Sequence, residues 1–404
     1  MRVLLVTQYF YPENFKSNDI AFDLTKRGYS ITVLTGLPNY PGGKIYKGWG
    51  VFKRRKETIN GVDIIRSLLI PRGKANGVRL FLNYFSWAFF ASIRAFFLAF
   101  QKKFDYIIVH EPSPITQGFP AIVVKKIQKV PLYFWVLDLW PESLQFAGGI
   151  DNRFVHRFFG KIVKYIYNNS DKILISSNGF RKSILEKGDY ENKIEYFPNW
   201  SEDTIANGID NYDIPELPKG FKVLFAGNIG EAQDMSSVLK AANELKHKKD
   251  IHFIIVGDGR MKLWMENYII EKGLVDNVHL LGRFPIESMK TFFNRSDALL
   301  VTLKDEIIFN VTVPAKIQAY MSVGKPILTM LNGEGNEIIK ESKSGFVSSA
   351  GDYKTLAKNI LELNTINVEA STKMGENAKI YYASHFDKNK CMDNLELILK
   401  DNKK

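Results

Sequence analysis

The sequence predicts an α/β protein of two successive domains, each an open parallel sheet covered by helices. Three observations carry this. Short apolar runs of strand length alternate with helical patterns along the whole chain, as repeated strand–helix–strand units require. The 404 residues exceed one ordinary core and suit two domains of roughly 200 residues each. Near the middle, Trp200–Gly220 holds Pro215 and Pro218 but little periodic apolar content, and reads as a linker. A composition of 45% apolar and 24% charged residues, without low-complexity tracts, describes a globular chain.

In the first half the expected strands are Arg2–Thr7, Ser30–Leu34, Val62–Arg66, Tyr106–His110, Leu132–Leu137 and Lys172–Ser176. The opening run MRVLLVTQYFYPEN gives a buried strand and a loop, and lacks the apolar stretch and cleavage site of a signal peptide. In the second half they are Lys222–Ala226, His252–Val256, Val278–Leu281, Ala298–Thr302, Pro326–Thr329 and Gly345–Val347. The expected limits are 1–200 for the first domain and 201–382 for the second. A helical tail, 383–404, is placed to cross back to the first. The single cysteine, Cys391, leaves no internal disulfide and no cysteine-based zinc site, and fits a reduced, cytoplasmic setting.

Charge is unevenly placed. Residues 1–200 carry 29 Lys and Arg against 15 Asp and Glu, a balance of +14, whereas the remainder balances at −2. A basic, partner-facing surface therefore belongs to the first half, unless its lysines are simply solvated. The same half contains LFLNYFSWAFFASIRAFFLAF, Leu80–Phe100, long enough to cross a bilayer but interrupted by Asn83 and Arg94. Arg72, Lys74 and Arg79 precede it and Lys102 and Lys103 follow. A helix lying in the interface of an anionic membrane, through residues 72–103, accounts for both features. The competing expectations are a helix buried on the first sheet and a transmembrane span, the latter disfavoured because soluble strands flank the segment on both sides.

The second half carries the more specific turns. Gly227-Asn-Ile-Gly230 follows a strand and precedes a helix, where close backbone approach and free N–H groups suit a phosphate. Gly257-Asp-Gly259, with Arg260 and Lys262, looks like a dinucleotide-type turn but is no full G-x-G-x-x-G. Leu281-Gly-Arg283, Phe309-Asn-Val-Thr-Val-Pro-Ala-Lys316, Ala319-Tyr-Met-Ser-Val-Gly-Lys-Pro326 and Gly333-Glu-Gly-Asn-Glu337 complete the series. Each lies just after a strand or at a helix start, the rim where open parallel sheets bind ligands.

In this order and spacing the motifs resemble the retaining glycosyltransferases of family 4, across essentially the whole chain. That family has the GT-B fold, two Rossmann-like domains facing across a cleft. The branch it is most similar to is the L-fucosamine (N-acetylfucosamine) transferases of surface-polysaccharide biosynthesis, such as O-antigen or capsule. The residues that carry this are QYFYPENFKSNDIAFDLTKRG, LTGLPNYPGG, the paired DLWPES and NW, GNIGEAQD, and VPAKIQAYMSVGKPIL. The resemblance implies transfer of N-acetyl-L-fucosamine or a related N-acetyl sugar from a UDP-sugar. It implies a polyprenyl-diphosphate-linked saccharide acceptor and an enzyme peripheral to the inner face of the cell membrane.

The resemblance also implies site residues, with departures. Where the family often has an arginine after the first glycine turn, Asn228 stands, so Lys262, with Arg260 or Arg283, has to supply charge, and Lys316 is a further candidate. The family's two glutamates, eight positions apart, align with Val311 and Ala319 and are absent. Donor recognition then falls to Asn310, the backbone N–H groups of Val311 and Thr312, and Glu334 or Glu337 for the ribose, with Asn199 of the NW pair. In the first half His110 matches the second histidine of an H-x-H pattern. Leu137 stands where the family's catalytic histidine follows the next strand. The polar set expected to face the donor is His110, Asp138 and Glu142, although His110 also reads as a structural histidine and Asp138 as a helix N-cap. Glu13, Asn14, Ser17 and Asn18 are placed to meet the acceptor, or to form an ordinary helix start.

A retaining transferase needs positioning and charge stabilisation more than covalent help. No D-x-D motif suited to a metal–diphosphate bridge follows a first-half strand. No metal and no cofactor beyond the donor substrate is therefore expected. Three rivals remain: a UDP-sugar epimerase of the same fold, a catalytically inactive scaffold, and a nucleic-acid-binding protein. Against the last, the aromatics cluster in one apolar segment instead of interleaving with a basic groove.

Overall fold

The expected apolar runs become two separate sheets in the computed structural model, which describes residues 1–74, 76–144, 152–208 and 210–401. The first sheet contains β1 (Arg2–Val6), β2 (Ser30–Gly36), β3 (Lys56–Ile59), β4 (Val62–Ser67), β5 (Tyr106–Glu111), β6 (Leu132–Val136), β7 (Lys172–Ile175) and β8 (Ile194–Tyr196). Their order is β3-β4-β2-β1-β5-β6-β7-β8. Only β3 runs antiparallel to its neighbour. The second sheet contains β9 (Phe221–Ala226), β10 (Ile251–Val256), β11 (Val278–Gly282), β12 (Ala298–Thr302), β13 (Ile327–Met330) and β14 (Gly345–Ser348). It is parallel throughout, in the order β11-β10-β9-β12-β13-β14.

Burial explains why the sequence shows these strands so clearly. Every residue of β5, β6, β10 and β12 is buried, as covering a parallel sheet on both faces demands. The second sheet has a core on each side, one around Phe225, Phe253 and Leu300, the other around Leu224, Ile254 and Val301. The two strands that the apolar pattern misses sit at the sheet edges. In β3, KETI, exposed and half-buried residues alternate, and β8 is only three residues long.

Strand order reverses at one place in each sheet: between β1 and β5 in the first, between β9 and β12 in the second. Crossover connections diverge there and leave a crevice beyond the carboxyl ends of the strands. The loop after β1 lies at the first of these places and the Gly227–Gly230 turn, after β9, at the second.

The chain divides into two compact units, Met1–Phe197 with Met392–Lys404, and Pro198–Cys391. The helix Lys388–Asp401 carries Asp393 and Glu396 to the Arg27 guanidinium of the first unit. The expected linker is packed, not free. Trp200 is buried, Ile205 and Ile214 join the second unit's core, and Tyr212 N donates to Thr291 Oγ1 at 2.8 Å.

The long aromatic segment forms the helix Gly77–Gln101, capped by Asn76, whose side chain accepts from Arg79 N. One face carries Trp87, Ala88, Ala91, Ala95, Leu98 and Ala99, all buried. It packs on β2, β4 and the helix Gly118–Gln128. Small residues allow that close approach, while Phe89, Ile93, Phe96, Phe97 and Phe100 are exposed on the other side. The helix thus meets both expectations, each with one face. By length and composition alone it could cross a membrane. Asn83, an interruption in the sequence, is a tether: Nδ2 donates to Ile70 O and Oδ1 accepts from Gln8 Nε2, both at 2.7 Å. Two of the flanking basic groups are engaged within the fold. Arg72 donates to Tyr9 Oη at 2.9 Å and lies over the Tyr40 ring, and Lys102 pairs with Asp63 at 2.6 Å.

Candidate active site

At the reversal point of the second sheet, three strand-end turns are laced together by main-chain bonds. Gly227 N donates to Val256 O at 2.9 Å, Gly257 N to Gly282 O at 2.8 Å, and Ile229 N to Asp258 O at 2.8 Å. Glycine is required at the contact itself. Gly257 has φ +149°, and a Cβ there would stand 1.8 Å from Gly227 O. A cavity of about 200 Å³ opens over these turns, lined by Gly227, Asn228, Asp258, Arg283, Phe284 and Met289.

Lys316, from the first turn of the helix Ala315–Val323, reaches the same turn. A Cβ on Gly227 would lie 2.8 Å from its Cε. Its ammonium donates to Gln233 Oε1 and stands 3.9 Å from the Phe225 ring centroid. Burial without a carboxylate partner lowers its pKa to about 7. Tyr320, one turn on, accepts a bond from Ala226 N at 3.1 Å and fixes this helix to β9.

The donor-side candidates differ in their surroundings. Arg260 is exposed, and Lys262 extends along its own helix towards Glu266 at 3.9 Å. The helix after Gly230 does not begin directly. A turn, Glu231–Gln233, intervenes, and Asp234 caps the helix Met235–Glu244 by accepting from Ser237 N. In the Gly227–Gly230 turn, Gly227 N and Ile229 N are taken by Val256 O and Asp258 O, so the backbone donors it offers are those of Asn228 and Gly230. The N–H groups of Val311 and Thr312 are directed to Ile307 O and Phe309 O, both at 3.3 Å, within a short helical turn. Glu337 is exposed and pairs with Lys340 at 2.9 Å, whereas Glu334 is half-buried in the first turn of the helix Glu334–Ser342. Gly333 touches the Asn310 carbonyl, where a Cβ would come within 1.8 Å. The side-chain oxygens of Asn310 and Asn199 are buried without a hydrogen bond, so each retains an acceptor.

In the first unit the carboxyl ends of β5 and β6 meet the loop after β1. His110 is 1% exposed, its Nδ1 3.3 Å from Thr7 Oγ1. Burial, with the Lys16 charge nearby, lowers its pKa to about 3, and the ring stays neutral. Its ring lies below the rim, against Thr7. Glu142 is also bound within the fold: its Oε1 accepts from Ser183 Oγ and Lys187 Nζ, both at 2.6 Å. Burial raises its pKa, but the Lys187 ammonium outweighs this and holds it below the usual range.

Asp138 alone of the three faces an open space. It lines a cavity of about 420 Å³ with Tyr84, Ser113, Trp140 and Ser143. Burial raises its pKa to about 6, moderated by those hydroxyl and indole groups. The donors of Ser143 and Trp140 face it without meeting hydrogen-bond geometry. Glu111 is the residue the sequence reading passed over. It is fully buried at the end of β5, neither oxygen is hydrogen-bonded, and burial beside the Asp138 charge pushes its pKa well up. An acid closing an otherwise apolar strand was the available signal.

Three of the four acceptor-side candidates hold their own loop. Glu13 Oε1 accepts from Asn39 N at 2.7 Å and Tyr40 N at 2.6 Å. Ser17 Oγ donates to Tyr9 O at 3.0 Å, and Asn18 bridges Tyr11 N and Glu13 O at 2.9 and 2.8 Å. Only Asn14 is exposed. Among the described residues, no group of three His, Cys, Asp or Glu side chains is placed to hold a metal ion.

Residues 208–381 match the family described as Glycosyl transferases group 1, and residues 17–200 match the Glycosyl transferase 4-like domain. The two matches fall on the two units, and the chain belongs to the glycosyltransferases of the GT-B fold. It is similar to the putative colanic acid biosynthesis glycosyl transferase WcaI of Escherichia coli strain K12, with 24% identity over 74% of this chain and 75% of that one. Among solved structures, sucrose-phosphate synthase from Thermosynechococcus elongatus shares the fold with a TM-score of 0.73 and 13% identity, over 99% of this chain and 98% of that one. HepE of Anabaena, solved with UDP, does so with a TM-score of 0.71 and 13% identity, over 99% and 100%.

Proposed function

We propose that the protein transfers a sugar from a UDP-sugar to a polyprenyl-diphosphate-linked saccharide during surface-polysaccharide assembly. It is a retaining enzyme of family 4 that works without a metal ion, and its donor is N-acetyl-L-fucosamine or a related N-acetyl sugar. The observation that carries the reading is Lys316 at the Gly227 turn, a buried ammonium with no carboxylate beside it. A departing diphosphate supplies the missing negative charge. Arg283 and the N–H groups of Asn228 and Gly230 add neutralisation where charge builds on the leaving oxygens. The acceptor hydroxyl attacks from the face that the leaving group vacates, and the departing phosphate takes its proton. Asp138 positions that hydroxyl. The names of two relatives support the reading: WcaI is named a putative colanic acid biosynthesis glycosyl transferase, and HepE was solved with UDP. The exposed aromatic face of the helix Gly77–Gln101 supports a peripheral place on the inner membrane surface.

The test is release of UDP from a panel of UDP-sugars, with and without a bacterial lipid extract and with excess EDTA. The expected result is lipid-dependent release from one donor, unchanged by EDTA. Loss of activity that Mg²⁺ or Mn²⁺ restores would overturn the metal-free part. Conversion of a UDP-sugar to its epimer without acceptor would overturn the whole.

A further inference from the structure

The cavity floored by Asp138 is far more apolar than sugar recognition requires. Its walls are Leu80, Phe81 and Phe85 from one helix and Phe154, Phe158 and Phe159 from the helix Arg153–Asn169. At about 420 Å³ it falls within the roughly 300–1,000 Å³ of small-molecule pockets. A second cavity of about 400 Å³ shares Phe85 and continues along the same helix past Ala88, Phe89 and Ser92 to Ile122 and Tyr165. The first cavity is a trough whose polar end is the rim at Ser113 and Asp138 and whose sides are hydrocarbon.

The surroundings show what kind of molecule fits. Phe81 and Phe158 at the wall are 48% and 51% exposed, and Phe154 is 79% exposed. The helix Arg153–Asn169 also exposes Arg153, Arg157, Lys161 and Lys164, so aromatic and basic side chains surround the opening. Exposed aromatics beside exposed cations match an amphiphile with an apolar chain and a phosphate. At the inner end Tyr84 lies within electrostatic reach of both Arg72 and Asp138. A cation thus stands near the point where the chain would meet its polar head.

We propose that this trough holds the first isoprene units of the hydrocarbon chain of the phosphate-linked acceptor, entering past Phe81 and Phe158 and presenting its polar head at Tyr84 and Ser113. The proposal rests on the lipid-linked acceptor of the function given above, and assigns that lipid a site. A chain gripped beside the rim orients the saccharide, so the enzyme selects its acceptor by lipid as well as by sugar.

The probe is farnesyl phosphate below its micelle concentration, titrated calorimetrically, with inorganic phosphate as comparison. Wild-type protein should bind farnesyl phosphate saturably and inorganic phosphate at least tenfold more weakly. Leu80→Trp, which fills the cavity, should weaken farnesyl phosphate at least tenfold while UDP affinity and vesicle sedimentation stay unchanged. Phe158→Ser, at a half-exposed position, should weaken it severalfold and decides the matter alone if Leu80→Trp melts at lower temperature. Absent binding, equal affinity in both variants, or equal binding of inorganic phosphate would overturn the trough. Lipid-dependent UDP release that survives in folded Leu80→Trp would also overturn it and leave the transferase reading standing. Absence of lipid-dependent release from the wild type would instead strike the underlying function.

Discussion

A lysine held near neutrality by burial is the most informative single residue. Lys316 has a folded pKa of about 7 against an ordinary 10.5, so the folded protein disfavours its charge. The unfolded chain binds more protons here between those values, and this lysine's effect on stability improves as pH rises from 7 towards 10. A bound diphosphate reverses the preference. UDP binding at pH 8 should therefore take up a proton, seen as a binding enthalpy that varies with buffer ionisation enthalpy, and should weaken as pH rises from 6 to 9. Glu13 works in the opposite sense. Burial raises its pKa from 4.5 to about 7, so its contribution to stability is full below pH 4.5 and is lost as pH rises through 7. Glu13→Gln keeps an oxygen for the Asn39 and Tyr40 N–H groups, and should flatten the fall in melting temperature between pH 5 and 7.5. Neither residue's state was legible in the sequence. Residue type and position at a strand end were visible, but the partners came from distant segments, as with Lys187 on Glu142.

Elements were easier to find than to orient. The segment 80–100 announced a helix, yet its aromatic and alanine faces are both apolar, and hydropathy alone cannot say which one packs. The spacing of Ala88, Ala91, Ala95 and Ala99 held the answer, since small residues three or four apart mark a surface of close approach. Phe89, Phe96 and Phe97 are 62%, 47% and 55% exposed, so their joint replacement by serine should leave circular dichroism intact and release the protein from anionic vesicles. Ala95→Leu tests the other face. It forces a branched side chain against packed neighbours and should destabilise by about 1–3 kcal/mol in denaturant titration, without changing vesicle binding at low denaturant. The helix Arg153–Asn169 was missed as a surface feature because its aromatics are interleaved with arginine and lysine, which dilute any apolar run.

For the whole molecule, every strand expected from apolar runs is present, because a parallel sheet buried on both faces imposes a continuous signal. Only the edge strands β3 and β8 escaped, one polar and one short. The glycine turns were legible for a related reason: backbones that touch, as at Gly227 and Gly257, tolerate no Cβ. The side chains facing a ligand obey no such periodic rule, and there His110, Glu142 and Ser17 have partners within the fold while Glu337 faces solvent. The central claim is that the second unit holds a nucleoside diphosphate through Lys316 and the Gly227–Gly230 turn. Calorimetric titration of UDP into wild type, Lys316→Ala and Lys262→Ala tests it most directly. The account predicts saturable binding to wild type, a loss of about 1.5–3 kcal/mol for Lys316→Ala, as for a hydrogen bond to a charged group, and little change for Lys262→Ala. Unaltered UDP affinity in a folded Lys316→Ala, or no UDP binding to the wild type, would contradict it.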